Sequence, residues 1–247
     1  MASQQKGAIM PEMSFIRLRK IVGNLAGFVF VATTVHAQPA NYQIAGGFNP
    51  NSNVATDTWT YREGPPGGPY TLLTAMTLFN IKINNVPNTN PGWWDPTLPN
   101  SVPAFQAHMT QPGNWTTQPC CGVVKLPPQT VFYHPGHGNI QAILRFLVPA
   151  AQANGRPWKA AKIHYKLTDS DYNGGDGITW EIDHNITMLA SGSLFSTNPT
   201  SLATTGNQTT SLFPVSGGDT IDFIINSGPN GDESFDTTGL KGFVHLQ

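Results

Sequence analysis

The feature that most constrains this chain is an alternation of apolar and polar residues in short segments. In "KIHYKL", Ile163, Tyr165 and Leu167 fall on one side of an extended chain, and "ITWEID" over 178–183 repeats the pattern. Successive side chains of a strand point to opposite faces, so this alternation indicates strands that are buried on one side only. Such strands can be stable only when a second apolar layer covers them.

Further segments of the same kind are separated by stretches rich in Gly, Pro, Asn and Thr, and no window keeps a helical apolar stripe over a normal helix length. These segments are 57–63, 70–79, 122–126, 142–148, 219–225 and 242–246. The pattern predicts an all-β fold, a two-sheet antiparallel β-sandwich of jelly-roll type. Residues 84–121 are predicted to be a long irregular segment.

The N-terminal residues have the organisation of a secretory signal. Basic residues at 17–20 precede an apolar run at 21–32, which is too short to span a bilayer. Residues 35–37, Val-His-Ala, have the spacing of a signal-peptidase site. We therefore predict that 1–37 is a signal peptide, with Met13 as an alternative start.

The remainder, 38–247, is predicted to be a single β-sandwich domain, released outside the cell or into a periplasm. The formal net charge of the whole chain is -1 and no block of like charge occurs. A nucleic-acid partner is therefore not expected, and no hydrophobic or lipidated tail predicts a membrane anchor.

Two pairs of residues raise the question of a metal site. Cys120 and Cys121 are adjacent, so they can form a strained ring or stay as thiols, but they cannot join distant segments. His134 and His137 flank a Pro-Gly turn and supply at most two of the three or four ligands that zinc needs. The pattern favours a strand that ends at Tyr133, followed by a turn.

The segment "DSDYNGGDGITWE" begins like a calcium-binding loop. Asp169, Asp171 and Asn173 stand at alternate positions and Gly174 is sixth, but the twelfth position holds Trp180 in place of an acid. A hairpin loop between two strands is the favoured interpretation, and calcium bound by the first three residues is the alternative.

The strand "WEIDHN" resembles part of the Glu-x-Asp-x-Glu strand of laminarinase-like glycosidases. Glu181 would match the nucleophile and Asp183 the assisting carboxylate, on one face of the strand. Asn185 stands where the general acid would be, so the two-carboxylate mechanism lacks its proton donor.

Aromatic residues in predicted loops suggest a ligand-binding surface. Trp93 and Trp94 lie among Pro, Gly and Asn, Trp115 lies in "PGNWTTQP", and Tyr172 lies in the Asp-rich loop. An indole beside amides and carboxylates suits a sugar ring. The alternative is that these rings cap the open end of the core.

Three segments carry a resemblance to a known family. "YHPGHGNIQAILRFLVPAA", "GGDTIDFIINSGPNG" and "DTTGL" resemble, in this order, segments of secreted bacterial β-sandwich proteins of the PEP-CTERM-associated type. The resemblance runs from about residue 54 onward, and His134 matches the turn of the family. It implies a secreted sandwich with an architecture like that of carbohydrate-binding modules.

The sequence thus predicts a secreted, non-catalytic sandwich that binds extracellular glycan or matrix through Trp93, Trp94, Trp115 and Tyr172. The enzymatic alternative is a jelly-roll glycoside hydrolase or polysaccharide lyase that uses Glu181 and Asp183. A structural matrix component is a third hypothesis. No cofactor is expected apart from the calcium alternative.

Overall fold

The computed structural model describes residues 39–83, 86–98, 102–108, 115–117, 124–125, 127–171, 174–196 and 202–247. They belong to one compact unit, Ala37–Gln247. The predicted signal peptide, with Met13, lies outside the described residues, as do Cys120 and Cys121.

The described residues form two antiparallel sheets. The larger contains β1 (Ala40–Gln43), β4 (Ala75–Ile83), β5 (Val86–Trp94), β6 (Ala104–His108), β7 (Trp115–Thr117), β8 (Thr130–His134), β10 (Ala160–Asp169), β13 (Gln208–Thr209), β14 (Phe213–Pro214) and β16 (Thr238–Leu246). The smaller contains β2 (Trp59–Gly64), β3 (Thr71–Leu72), β9 (Gln141–Leu147), β11 (Ile178–His184), β12 (Thr187–Leu194) and β15 (Thr220–Ser227). A 3-10 helix, Ala45–Gly47, follows β1.

Eight of these strands are wound as a jelly roll. Their order is β8-β16-β10-β13 in the larger sheet and β9-β15-β11-β12 in the smaller. The first strand of the eight therefore pairs with the last, the second with the seventh, and so inward, every pair antiparallel. This is a long hairpin wrapped around a core. The predicted all-β, jelly-roll sandwich is confirmed.

Alternate residues of the strands form the core between the sheets. In β11, Ile178, Trp180 and Ile182 are buried, whereas the residues between them face outward. Burying one large apolar side chain stabilises the fold by roughly 1.5–3 kcal/mol. The period-two pattern of the sequence is thus the pattern of burial.

Aromatic contacts join the two layers. Tyr61 of β2 is fully buried, and its ring centroid lies 5.5 Å from that of Phe105 on β6 and 6.3 Å from that of Trp93 on β5. Phe105 in turn stacks at 5.4 Å on Tyr133 of β8. Because Tyr61 belongs to the smaller sheet and the other three to the larger, these rings fix the spacing of the layers.

The prediction of an irregular segment over 84–121 is wrong, since β5, β6 and β7 lie within it. The segment "VPNTNPGWW" forms β5 and pairs with β4 along its whole length. β6 pairs only with Gly92 to Trp94, so among the described residues the stretch from Val86 to Pro91 has β4 as its one partner strand. Proline is tolerated in strands that have an open edge. Tertiary pairing thus overrides poor β-propensity.

Other strand predictions differ in detail. The segment 70–79 is divided between β3 and β4, and the described residues of 122–126, Val124 and Lys125, lie outside strands. β8 ends at His134, and the next strand begins at Gln141 after the turn, close to the predicted positions.

Asn53 is a buried clamp whose loss should destabilise the fold. Its Nδ2 donates to the carbonyls of Tyr61 and Leu73, both at 2.8 Å, and its Oδ1 accepts from the N–H of Tyr61 at 2.9 Å. We expect Asn53→Ala to lower the free energy of unfolding by about 2–4 kcal/mol, because buried backbone groups lose their partners. Urea denaturation measures this. The exposed Asn51→Ala is the control, and an equal effect of both changes would contradict the clamp.

Candidate functional site

The outer faces of the two sheets carry the polar side chains of the sandwich, and they differ in charge. On the larger sheet, the outward positions of β10 and β16 hold mainly basic residues. We define the lysine face as Lys162, His164, Lys166, Lys241, Phe243 and His245. On the smaller sheet, the outward positions hold carboxylates and arginine. We define the acidic row as Arg145, Glu181, Asp183 and Asp222.

Strand register assembles the lysine face. His164 lies opposite Phe243, and Lys166 lies opposite Lys241, because β10 and β16 pair over nine residues. The rings of His164 and Phe243 stack with centroids 4.5 Å apart. The N-terminal β1 adds Gln43 beside Phe243. An aromatic platform is therefore flanked by ammonium groups.

Gly242 allows β10 and β16 to approach at this point. A methyl group on Gly242 would collide with the backbone carbonyl of His164. The close approach of the two strands brings Phe243 and His164 into contact.

A groove of about 690 Å³ runs over this platform. Its lining includes Gln43, Gln129 and Gln208 besides residues of the lysine face, and none of the described residues that line it is acidic. Partial burial lowers the pKa of His164, and the charges of Lys162 and His245 lower it further. His164 is thus mostly neutral at pH 7. The nearby lysines give the groove its positive charge.

The acidic row brings together the two predicted catalytic residues and a third acid. Asp183 of β11 lies directly opposite Asp222 of β15, and Glu181 is two residues away on the same face. Asp222 is almost fully buried and accepts two hydrogen bonds of 2.6 Å from Nε and Nη2 of Arg145. A bidentate pair of this kind is stronger than a single neutral hydrogen bond and fixes the geometry of both groups. Asp222 is therefore committed to Arg145.

Asp183 has a different electrostatic environment. Burial raises its pKa, and the charges of Glu181 and Asp222 raise it further. A carboxyl with a raised pKa is suited to donate a proton. The row thus contains one acid suited to proton donation, Asp183, and one bound by arginine, Asp222. Asn185 stands where the glycosidase strand has its general acid.

Of the four predicted ligand-binding aromatics, the structure describes the side chains of Trp93 and Trp94. Trp93 is 8% exposed, and its Nε1 donates to the carbonyl of Asn49 at 2.9 Å, so its ring belongs to the core. Its prediction as a surface ligand residue is wrong, because β5 turns this side chain inward. Trp94 is half-buried at the end of β5. The Trp115 side chain and Tyr172 lie outside the described residues.

The sequence favours a hairpin loop between β10 and β11, and this prediction is wrong. β10 belongs to the larger sheet and β11 to the smaller, so the residues between them cross from one layer to the other. Asp169 is buried, and its carboxylate accepts from the N–H of Asp171 at 3.2 Å and of Ser196 at 2.8 Å. Burial raises the pKa of Asp169 to about 6. Asn173 lies outside the described residues.

The two histidines that flank the Pro-Gly turn, His134 and His137, have separate partners. Nδ1 of His134 is 2.7 Å from the carbonyl of Pro135, whereas Nδ1 of His137 is 2.7 Å from Oε1 of Glu233. Burial lowers the pKa of His134. Across the described ranges, no three His, Cys, Asp or Glu side chains converge as a ready set of metal ligands.

The lysine face was missed at the sequence level, although a signal exists. In "KIHYKL", the residues between the apolar ones are Lys162, His164 and Lys166, and "KGFVHL" alternates in the same way. Sequence alone does not reveal that β10 and β16 are neighbours. In the part of the chain that the structure describes, no helix has the length and apolarity needed to cross a membrane.

Comparisons with known proteins assign no family. No family model and no curated protein matches the chain. Among solved structures, a CBM51 from Clostridium perfringens in complex with methyl-galactose matches with a TM-score of 0.30 and 7% identity, over 72% of this chain and 95% of that one. The Stig cyclase Fisc from Fischerella sp. TAU matches with a TM-score of 0.35 and 15% identity, over 84% and 98%. The isomalto-dextranase of Arthrobacter globiformis T6 complexed with panose matches with 0.27 and 11%, over 85% and 32%.

The ion pair of the acidic row should be sensitive to loss of one partner. We expect Arg145→Leu to lower the free energy of unfolding by about 3–5 kcal/mol, because it leaves the buried charge of Asp222 uncompensated. Combining it with Asp222→Leu should recover much of the loss. Denaturant unfolding of both variants measures this. A double variant as unstable as the single one would show that the buried charge is not the cause.

Proposed function

We propose that this protein is an exported, non-catalytic β-sandwich that binds an acidic extracellular glycan on its lysine face. The observation that carries the proposal is the groove over the stacked rings of His164 and Phe243, flanked by Lys166 and Lys241. A flat aromatic surface packs against the apolar face of a sugar ring. Ammonium groups beside it would pair with carboxylate or sulfate groups.

The charge distribution supports an acidic ligand over a neutral one. Residues 39–247 contain nine Lys and Arg against thirteen Asp and Glu, so the body as a whole is negative. Three of those nine cations nevertheless lie together on the lysine face. A local field opposite in sign to that of the body attracts an anionic chain to this one face.

The lysine face lies on the outside of a sheet, whereas the sequence predicts a ligand site among loop aromatics at the end of the sandwich. The ring of Trp93 is buried and so cannot contact a ligand. Trp94, Trp115 and Tyr172 stay predicted as additional ligand contacts. Export rests on the predicted signal peptide, with the periplasm as the alternative compartment to the medium.

Two other functions lead to different results in simple assays. A structural matrix component would self-associate as its concentration rises, which light scattering detects. Catalysis is favoured by one observation, the position of Asp183 opposite Asp222. If the acidic row is catalytic, the protein releases soluble fragments from a polysaccharide, and Glu181→Gln abolishes the release.

Reversing the charge of the lysine face should weaken glycan binding. We expect Lys166→Glu combined with Lys241→Glu to reduce affinity for polygalacturonate by about tenfold, since two attractive contacts become repulsive. Calorimetry or affinity electrophoresis measures this. Added salt should weaken the wild-type interaction because it screens exposed charges.

Lys82→Glu is the matched control, because Lys82 lies on β4, separated from β16 by three strands. Fully methyl-esterified polygalacturonate tests the requirement for charge on the ligand. Equal binding of the esterified and free polymers would overturn the acidic-glycan proposal. Stronger binding of a single-stranded oligonucleotide would indicate a nucleic-acid site.

Affinity for a sulfated glycan should increase as the pH falls below neutrality. The pKa of His164 is lowered, so this ring is neutral at pH 7 and gains its charge at lower pH. The sulfates stay ionised throughout, and a bound anion favours the protonated ring. We expect affinity for dextran sulfate to rise about threefold between pH 7.5 and 5.5. The rise should be lost in His164→Gln, and a rise that persists there would assign it to another group.

A further inference from the structure

The crossover from β10 to β11 and the connection from β15 to β16 bring an unusual concentration of acids to one end of the sandwich. The two segments, 169–177 and 228–237, contain six Asp or Glu and no Lys or Arg. Two hydrogen bonds join the two segments. The N–H of Asn230 donates to the carboxylate of Asp176, and the N–H of Ser170 donates to the carbonyl of Thr237. Backbone N–H groups thus hold the two acidic segments together.

Asp236 is the residue that requires explanation. Its side chain is fully buried, and among the described residues neither carboxylate oxygen has a hydrogen-bond partner. Burial, together with the neighbouring charges of Asp176 and Asp169, raises its pKa to about 9. A buried carboxylate without partners is costly, so proteins generally pair such a group or coordinate a metal with it.

Asp176 provides a second oxygen of the same kind. Its Oδ2 accepts from the N–H of Asn230, whereas its Oδ1 is buried without a hydrogen-bond partner. A methyl group on Gly228 would collide with this Oδ1 and with the carbonyl oxygen of Gly177. The glycine therefore leaves room for a carboxylate and a carbonyl in one small space.

The backbone around these two acids is also adapted to close approach. Gly175 has a φ of +76°, and a methyl group there would collide with the carbonyl of Ser234. Phe235 has a φ of +67°, which is rare for a bulky residue and marks a tight turn immediately before Asp236. Strain of this kind persists where the surrounding structure requires it.

We propose that Asp236 and Asp176, with main-chain carbonyls of the two segments, bind a calcium ion. Calcium accepts six to eight oxygen ligands in irregular geometry, including carbonyls and water. A site built on two carboxylates and backbone oxygens is consistent with the absence of a three-side-chain ligand set among the described residues. The ion would bind the Asp236 carboxylate in place of its proton and join the two segments.

This site differs from the one that the sequence pattern suggests. The Asp169 carboxylate accepts two backbone N–H groups and so shapes the crossover. In the proposed site, Asp169 contributes its negative charge, and the ligands come from Asp176 and from the distant Asp236. The proposal does not depend on glycan binding, since it concerns one end of the sandwich and not the lysine face.

The test compares the melting temperature of the full chain in EGTA, in millimolar calcium chloride and in millimolar magnesium chloride. With calcium about a hundredfold above its dissociation constant, we expect an increase of about 5–10 °C, and a smaller one with magnesium. Calorimetry should show one calcium ion per chain. An identical melting temperature in calcium and EGTA would overturn the proposal.

Asp236→Asn tests the ligand directly. With a pKa of about 9, Asp236 is protonated near neutral pH without calcium, so the change should alter the melting temperature in EGTA little. Removing the ligand should abolish the increase caused by calcium. Asp232→Asn is the matched control, because Asp232 lies in the same segment but is exposed, and its calcium response should persist. A response lost in Asp171→Asn but retained in Asp236→Asn would place the ion at 169–173 and refute this site.

Discussion

The packing of two apolar sheet faces against each other is the interaction on which the rest of this structure depends. The central strands contribute every second side chain to that interface, and aromatic rings such as Tyr61 and Phe105 contact each other across it. Adjacent cysteines, whether thiols or a ring, cannot join distant segments, so stability rests on this burial and on the cross-strand hydrogen bonds. The constraint also decides what the outer faces can be.

Because the inward positions of the central strands are mainly apolar, chemistry is restricted to outward positions and to the connections at the ends. The two outer faces have opposite character. The larger sheet presents lysines around the ring pair of His164 and Phe243, whereas the smaller presents carboxylates with Arg145. The same alternation that builds the core thus separates a cationic surface from an acidic one by the thickness of the sandwich.

The jelly-roll winding explains why chemically similar residues meet although they are far apart in sequence. The end of β10 pairs with the start of β16, with Asp169 opposite Thr238, so the connection at 228–237 reaches the same end as the crossover at 169–177. The sequence suggests a self-contained calcium loop with a local ligand set. In the fold, Asp236 joins Asp176 from about sixty residues away, and a local pattern cannot reveal this.

The sequence by itself determined the fold class and the positions of its central strands. The alternation around Ile163, Ile178 and Ile221 is sufficient for this, since half-buried strands have no other stable arrangement than a covered sheet. It also placed Glu181 and Asp183 on one face. Strands such as β5 were missed because their residues have weak intrinsic β-propensity and are ordered by pairing with neighbours.

Only the tertiary structure decided which strands are neighbours and which way each ring points. Trp93 and Trp94 look equivalent in sequence, yet the register of β5 buries the first and leaves the second half-exposed. Lys166 and Lys241 become one surface only because β10 pairs with β16. Local patterns specify the face of a strand, whereas the choice of partner strand depends on contacts between residues distant in the chain, and these decide both candidate sites.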